Sequence, residues 1–152
     1  TGGVSAGDAD CLGQVLREDG KPLLWKLAIK PGKPLTVGHF GNVPVIGLPG
    51  NPTSALVTFG LLARPYLLRI QGVEEVMPLS FTVNAGFAWN KAGSRREYLR
   101  VRLEAGRAVL YPIQSSGVLL GATWADGLVE VPENSTHNIG DELRFIPFSE
   151  LF

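Results

Sequence analysis

Gly47-Leu48-Pro49-Gly50-Asn51-Pro52-Thr53-Ser54-Ala55 runs from the end of a strand through a tight turn into the start of a helix. Asparagine is a preferred N-cap and proline is tolerated at the first helical position, so the helix begins at Asn51 or Pro52. Val43 to Leu48 supplies the short apolar strand before it, and Ala55, Leu56, Phe59, Leu62, Ala63 and Tyr66 recur afterwards at helical spacing as a buried stripe. Pro65 inside that stripe should kink or divide the helix. Unpaired N–H groups at such a start favour an anion. Gly50 and Asn51 would offer backbone donors and Thr53 and Ser54 hydroxyls; a capped connection without a ligand is the plain alternative. No Gly-Lys-Ser/Thr follows the turn, which excludes a Walker-type nucleotide site.

Upstream stands Lys26-Leu-Ala-Ile-Lys30-Pro-Gly-Lys33-Pro-Leu35. Leu23 to Ile29 alternates, with Leu23, Trp25, Leu27 and Ile29 on one face and Leu24, Lys26, Ala28 and Lys30 on the other, as in a half-buried strand. Lys26 and Lys30 then share a face with Cα atoms roughly 13 Å apart, enough to address two anionic ends of an extended ligand. Lys33, beyond the Pro31-Gly32 turn, adds a third cation. Ordinary solvated lysines would read the same way. Leu35 to Phe40 forms the next strand, and Gly41-Asn42 is a hairpin turn.

The chain opens Thr1-Gly-Gly-Val-Ser-Ala-Gly-Asp-Ala-Asp10, followed by a short helix over Asp8 to Leu16 and a turn over Glu18 to Pro22. Gly2, Gly3 and Ser5 offer donors to a phosphate, and carboxylates beside a phosphate imply a divalent cation, magnesium by preference. Asp10 is the candidate ligand, whereas Asp8 reads as a helix cap. No strand precedes this glycine-rich turn, so the chain reads as a piece of something longer.

Composition changes after Gln71-Gly72. Strand character recurs at Leu79–Val83, Arg96–Leu103, Ala108–Pro112, Gly127–Val131 and Glu142–Pro147 between glycine, asparagine and proline turns, the pattern of a small all-β barrel or sandwich. The boundary falls between Gly72 and Pro78, dividing the chain into 1–74, α/β, and 75–152, all-β. Arg96, Arg100 and Arg102 line up on one strand face, suited to oxyanions but also compatible with a solvated face. Gln114-Ser-Ser-Gly117 is a polar turn that brings Ser116 towards a ligand.

Lysine plus arginine equals aspartate plus glutamate, 14 each, so no global field favours nucleic acid. The longest apolar stretch, Ala55 to Ile70, is interrupted by Arg64 and Pro65 and is too short to span a bilayer. One cysteine, Cys11, excludes an internal disulfide, and with no signal-peptide pattern this points to a cytoplasmic setting. No serine with a histidine base is visible, so covalent catalysis is not indicated.

These blocks, together with Arg95-Arg-Glu-Tyr-Leu-Arg100, resemble in order the molybdopterin molybdenumtransferase family, the bacterial MoeA type also found as the E-domain of gephyrin. The resemblance implies the later half of an α/β/α molybdopterin-binding domain plus a small C-terminal β-barrel. It implies an enzyme that takes adenylylated molybdopterin and molybdate, releases AMP with magnesium and yields molybdenum cofactor. It also implies a homodimer in which the α/β domain of one subunit faces the C-terminal domain of the other, and possible other proteins of the cofactor pathway as partners. By motif, Asp10 supports the metal or molybdate, Lys26 and Lys30 hold the anionic ligand, and the Gly2–Ser5 turn and Gly50–Ser54 cradle phosphate. Arg95 or Arg100 and Ser116 reach the site across the dimer. Ser115 stands where the family usually has glycine. Because upstream family domains are not in the sequence, an isolated chain is expected to lack turnover. The alternative, from another class, is a non-catalytic interaction module of the same descent.

Overall fold

The computed structural model describes residues 11–117 and 119–152, the Trp25 side chain excepted. The first part comprises α1 (Cys11–Glu18), β1 (Lys21–Lys26), the two-residue β2 (Ile29–Lys30), β3 (Pro34–Phe40), β4 (Val43–Gly47), α2 (Pro52–Thr58) and α3 (Arg64–Ile70). The second comprises β5 (Phe81–Ala85), β6 (Arg96–Glu104), β7 (Arg107–Leu110), α4 (Leu120–Trp124), β8 (Gly127–Val131) and β9 (Glu142–Pro147). Strands β1, β3 and β4 form an antiparallel sheet in that order. In the second part β6, β7, β5, β9 and β8 pair in sequence and β8 returns to β6, closing a five-stranded barrel.

The expected α/β start followed by a small β-barrel is therefore the observed architecture, with strand limits moved by a few residues. Alternation is clear in β5 and β6, and the barrel interior packs as Val83, Leu99, Val101, Val129, Val131 and Phe145. Closing the sheet pairs β6 with β8 along one edge, and with β2 and β7 at the two ends of the other.

The segment Leu23–Ile29 is not one strand. Its first half pairs with β3, with irregularities between Pro22 and Leu24 and between Leu24 and Lys26. Such bulges slip the alternation, so Leu23 is 67% exposed rather than facing inward. Leu27 and Ala28 then carry the chain out of the sheet, and β2 joins the barrel, running parallel to β6 with Ile29 opposite Arg96 and Lys30 opposite Glu97. Lys26 and Lys30 thus belong to different sheets, and the shared-face argument for the pair fails. Among the described residues the first helix covers Cys11–Glu18, running past the expected end at Leu16, with Lys21 and Pro22 already in β1; the expected start at Asp8 lies outside the described residues.

Asn51 stands at the expected N-cap position of α2 with an extended backbone, its carbonyl taking the Ala55 N–H at 2.9 Å while its side chain makes no cap hydrogen bond, and Pro52 opens the helix as expected. Pro65 divides the helical run: a π turn over Phe59–Ala63 separates α2 from α3. Proline lacks an N–H and its ring crowds the carbonyl four residues back, so the chain widens by one residue just before it. That extra residue rotates the later side chains. The buried face is Thr53, Ser54, Val57, Thr58, Gly60, Ala63 and Pro65, whereas Leu62 and Tyr66 of the expected stripe are exposed. Val57, with Leu61 beside it, packs on Leu128, Ile146 and Leu151, which docks the helix against the outside of the barrel.

Candidate functional site

Because β2 leaves its own sheet for the barrel, the Pro31-Gly32 turn that follows it is carried to the junction of the two parts. There a cleft of about 390 Å³ opens. Lys30, the Pro31-Gly32 turn, Lys33 and Ser54 line it from the α/β side, and Arg95 with Gln114, Ser115 and Ser116 from the barrel side. The volume lies in the range of small-ligand sites.

The turn is shaped tightly. The Lys30–Pro31 peptide is cis, and Gly32 has φ +121°. A Cβ at Gly32 would lie 2.5 Å from Cγ2 of Thr58 and 3.1 Å from Cδ1 of Ile29, so this position requires glycine on two counts. Thr58 is itself held, its hydroxyl donating to Ser54 O at 2.7 Å.

Lys30 Nζ meets a Glu97 carboxylate oxygen at 3.1 Å, and Glu97 is buried. Arg95 Nη1 donates to Ile29 O at 3.4 Å, tying the start of β6 to β2. With Lys33 also in the wall, the cleft carries three cations against one buried carboxylate, a local positive field in a chain of zero net charge.

On the barrel side the Gln114–Ser116 loop is pinned to Arg100. The Arg100 N–H donates to Gln114 Oε1 at 3.0 Å, and Gln114 Nε2 donates to Arg100 O at 3.0 Å and Tyr111 O at 2.8 Å. The Arg100 guanidinium donates through Nη2 to Ile113 O at 2.9 Å and Ser115 O at 3.1 Å. Only 2% of Arg100 is exposed, and burial lowers its pKa from the ordinary guanidinium value.

Lys30, Lys33, Ser54, Arg95 and Ser116 of the expected site residues therefore line one cleft of a single chain. Lys26, on β1 opposite Pro34, is not among the residues lining the cleft, nor are Gly50 and Asn51 before α2 or the buried Thr53. Arg100 stands behind the wall rather than in it. The arginine row is not a solvated face: Arg102 donates to Trp124 O at 3.1 and 2.9 Å, and Arg96 pairs with Glu130 at 3.0 Å and Glu133 at 3.3 Å. Gly2, Gly3, Ser5 and Asp10 lie outside the described residues. Sequence reasoning gave no role to Glu97, which reads as one more charge in an alternating strand, or to Gln114, whose carboxamide is spent on backbone.

Among the described residues no three His, Cys, Asp or Glu side chains converge as metal ligands. Glu97, the carboxylate beside the cleft, is already engaged by Lys30. The described residues by themselves do not fit a magnesium site. No described helix is long and apolar enough to cross a membrane.

Residues 82–148 match the family model described as MoeA C-terminal region (domain IV), and residues 1–69 that described as probable molybdopterin binding domain. The molybdopterin molybdenumtransferase of Haemophilus influenzae is 44% identical over 158 residues, covering 99% of this chain and 39% of the relative. That of Nostoc sp. is 35% identical over 104 residues, covering 65% of this chain and 24% of the relative. The crystal structure of a molybdopterin biosynthesis MoeA protein from Pyrococcus horikoshii superposes with a TM-score of 0.77 at 36% identity, covering 92% of this chain and 35% of that one. The chain thus spans well under half the length of these relatives.

Proposed function

Because the chain belongs to the MoeA family of molybdopterin molybdenumtransferases, we propose that its cleft holds an anionic end of adenylylated molybdopterin while molybdenum is transferred from molybdate and AMP is released. Molybdenum cofactor biosynthesis is the process the family serves, and relatives named as transferases favour this reading over a non-catalytic interaction module.

The observation that carries the proposal is the convergence of Lys30, Lys33 and Ser54 with Arg95 and Ser116 on one cleft. Opening a phosphoanhydride under attack by an oxygen of water or molybdate leaves negative charge on the departing phosphate. Fixed cations and hydroxyl donors aimed at that charge lower the barrier. In this assignment Lys30 and Arg95 face the phosphates, Lys33 adds field, Ser54 and Ser116 donate hydrogen bonds, and Glu97 holds the Lys30 ammonium in place. The magnesium that the resemblance implies stays assigned to Asp10 and phosphate oxygens, outside the described residues. The homodimer and a cytoplasmic setting, in which an exposed thiol such as Cys11 stays reduced, belong to the same proposal. So does the expectation that the 152-residue chain binds ligand without turning it over.

The test is calorimetric titration of the chain with adenylylated molybdopterin, with and without magnesium, beside Lys30→Ala and Ser116→Ala. Binding weakened by both variants supports the proposal. Binding that neither variant changes refutes the site.

A further inference from the structure

Strand β6 has a gap along one edge. Its Arg96 N–H bonds Ala28 O at 3.0 Å, next to β2, so by alternation the N–H and C=O of Tyr98, Arg100 and Arg102 point to that same edge. β2 covers the edge at Arg96 and Glu97, and β7 covers it from Val101 to Glu104. Between them the Arg100 N–H meets not a strand but the Gln114 carboxamide, and the Arg100 C=O receives both Gln114 Nε2 and the Tyr111 N–H at 3.0 Å. A side-chain amide carries the donor and acceptor of a peptide group. It therefore completes the ladder where the backbone cannot.

We infer that Gln114 is the positioning residue of the cleft: its carboxamide substitutes for a strand residue between β2 and β7, and together with the Arg100 side chain it fixes the Ser115-Ser116 wall opposite Lys30. The inference rests on the function proposed above and adds to it a part played by a side chain with no free donor to offer the ligand. Both Gln114 Nε2 bonds go to backbone carbonyls, and its Oε1 takes a backbone N–H. The Arg100 guanidinium grips the loop on either side of Gln114, at Ile113 O and Ser115 O. Two grips two residues apart leave the intervening backbone little freedom, and the Ser116 hydroxyl follows directly after them. Arg100 acts here through the loop rather than on the ligand, which reassigns the role that the motif resemblance gave it.

A hydroxyl moved off its acceptor no longer makes the hydrogen bond, so its contribution to binding is lost. The experiment is a double-substitution cycle on binding of adenylylated molybdopterin by the 152-residue chain, comparing Gln114→Met, Ser116→Ala and the pair. Thermal melting and circular dichroism report whether each variant folds. The expected result is that Gln114→Met weakens binding at least as much as Ser116→Ala, and that the pair is no weaker than Gln114→Met alone, because a displaced Ser116 has nothing left to lose. Additive losses, or a Gln114→Met variant that binds like the unsubstituted chain, would overturn the inference while leaving the cleft assignment standing. If Gln114→Met does not fold, Arg100→Lys replaces it in the cycle. Lysine keeps the charge but cannot hold the same two carbonyls with a fork, and the same non-additivity with Ser116→Ala is required. If neither Lys30→Ala nor Ser116→Ala changes binding, it is the proposed function itself that fails.

Discussion

Gly32→Ala tests whether the cleft turn and the packing of α2 are one mechanical unit. At φ +121° an L side chain is strained, at roughly 1–3 kcal/mol. The new methyl would sit 2.5 Å from Thr58 Cγ2, and Thr58 cannot swing away freely because its hydroxyl is bonded to Ser54 O at 2.7 Å within α2. Overpacking of this kind costs about 1–3 kcal/mol, against which alanine recovers roughly 0.4–1 kcal/mol by stiffening the unfolded chain. The net expectation is a loss of about 3 kcal/mol, or a fall in Tm of roughly 6–12 °C for a domain of this size.

Gly41→Ala is the internal control. Gly41 also has positive φ, +58°, but a Cβ there meets nothing within 4 Å, so only the conformational cost of about 1 kcal/mol remains. Urea denaturation of both variants, read at constant m value, separates the steric part from the backbone part. The Gly32 variant should also bind adenylylated molybdopterin more weakly, since the turn lies between Lys30 and Lys33. A Gly32→Ala protein that loses no more stability than Gly41→Ala would show that the turn does not bear on α2, and the coupling would be wrong.

Three further outcomes follow from other contacts. His137 is 5% exposed and its pKa is lowered below the ordinary 6.5, by burial first, against opposing contributions from backbone at Asn138 and Phe87 and from Asp141. The folded protein then binds fewer protons than the unfolded chain, so this stability is complete above about pH 6.5 and is lost as the pH falls through the folded value. Urea midpoints across that window should flatten in His137→Gln. Gly60→Ala places a methyl 2.8 Å from Leu151 Cβ at the helix–barrel contact; overpacking of about 1–3 kcal/mol exceeds the roughly 1 kcal/mol gain in helix propensity, so thermal melting should show a net loss. Affinity for adenylylated molybdopterin should fall as sodium chloride rises from tens to hundreds of millimolar, because the cleft cations are partly exposed, and calorimetry at two salt concentrations checks it.

The barrel was legible because short runs of strand character stand between glycine, asparagine and proline turns, and both are local signals. The helix start was legible at Asn51-Pro52 for the same reason. What escaped was non-local. Leu23 to Ile29 keeps its alternating pattern while changing partners from β3 to β6, and no residue between marks the exchange. The expected helix stripe already differs in α2, where Thr53, Ser54, Val57 and Thr58 are the buried residues, and the π turn before Pro65 then adds a residue that a fixed 3.6 period does not contain. The arginine row showed a common face but not the carbonyls of Ile113, Ser115 and Trp124 that lie against it. Lys30, Lys33, Arg95 and Ser116 could be grouped before the structure only through the family resemblance.

The cleft exists because one strand edge is incompletely paired. Had β7 extended along β6 to Glu97, its backbone would occupy the edge that now receives β2 and the Gln114 loop, and Lys30 would have no carboxylate of the barrel to face. The short β2 brings a cation, the gap admits a polar loop, and Arg95 stands just before the same strand. Each of these depends on β6 keeping its register with β8 on the opposite edge. A substitution that loosens that pairing, even in the apolar interior at Leu99 or Val129, would therefore move Glu97, Arg95 and the Gln114 loop together, so anion affinity should track barrel stability more closely than it tracks the stability of the β1–β3–β4 sheet.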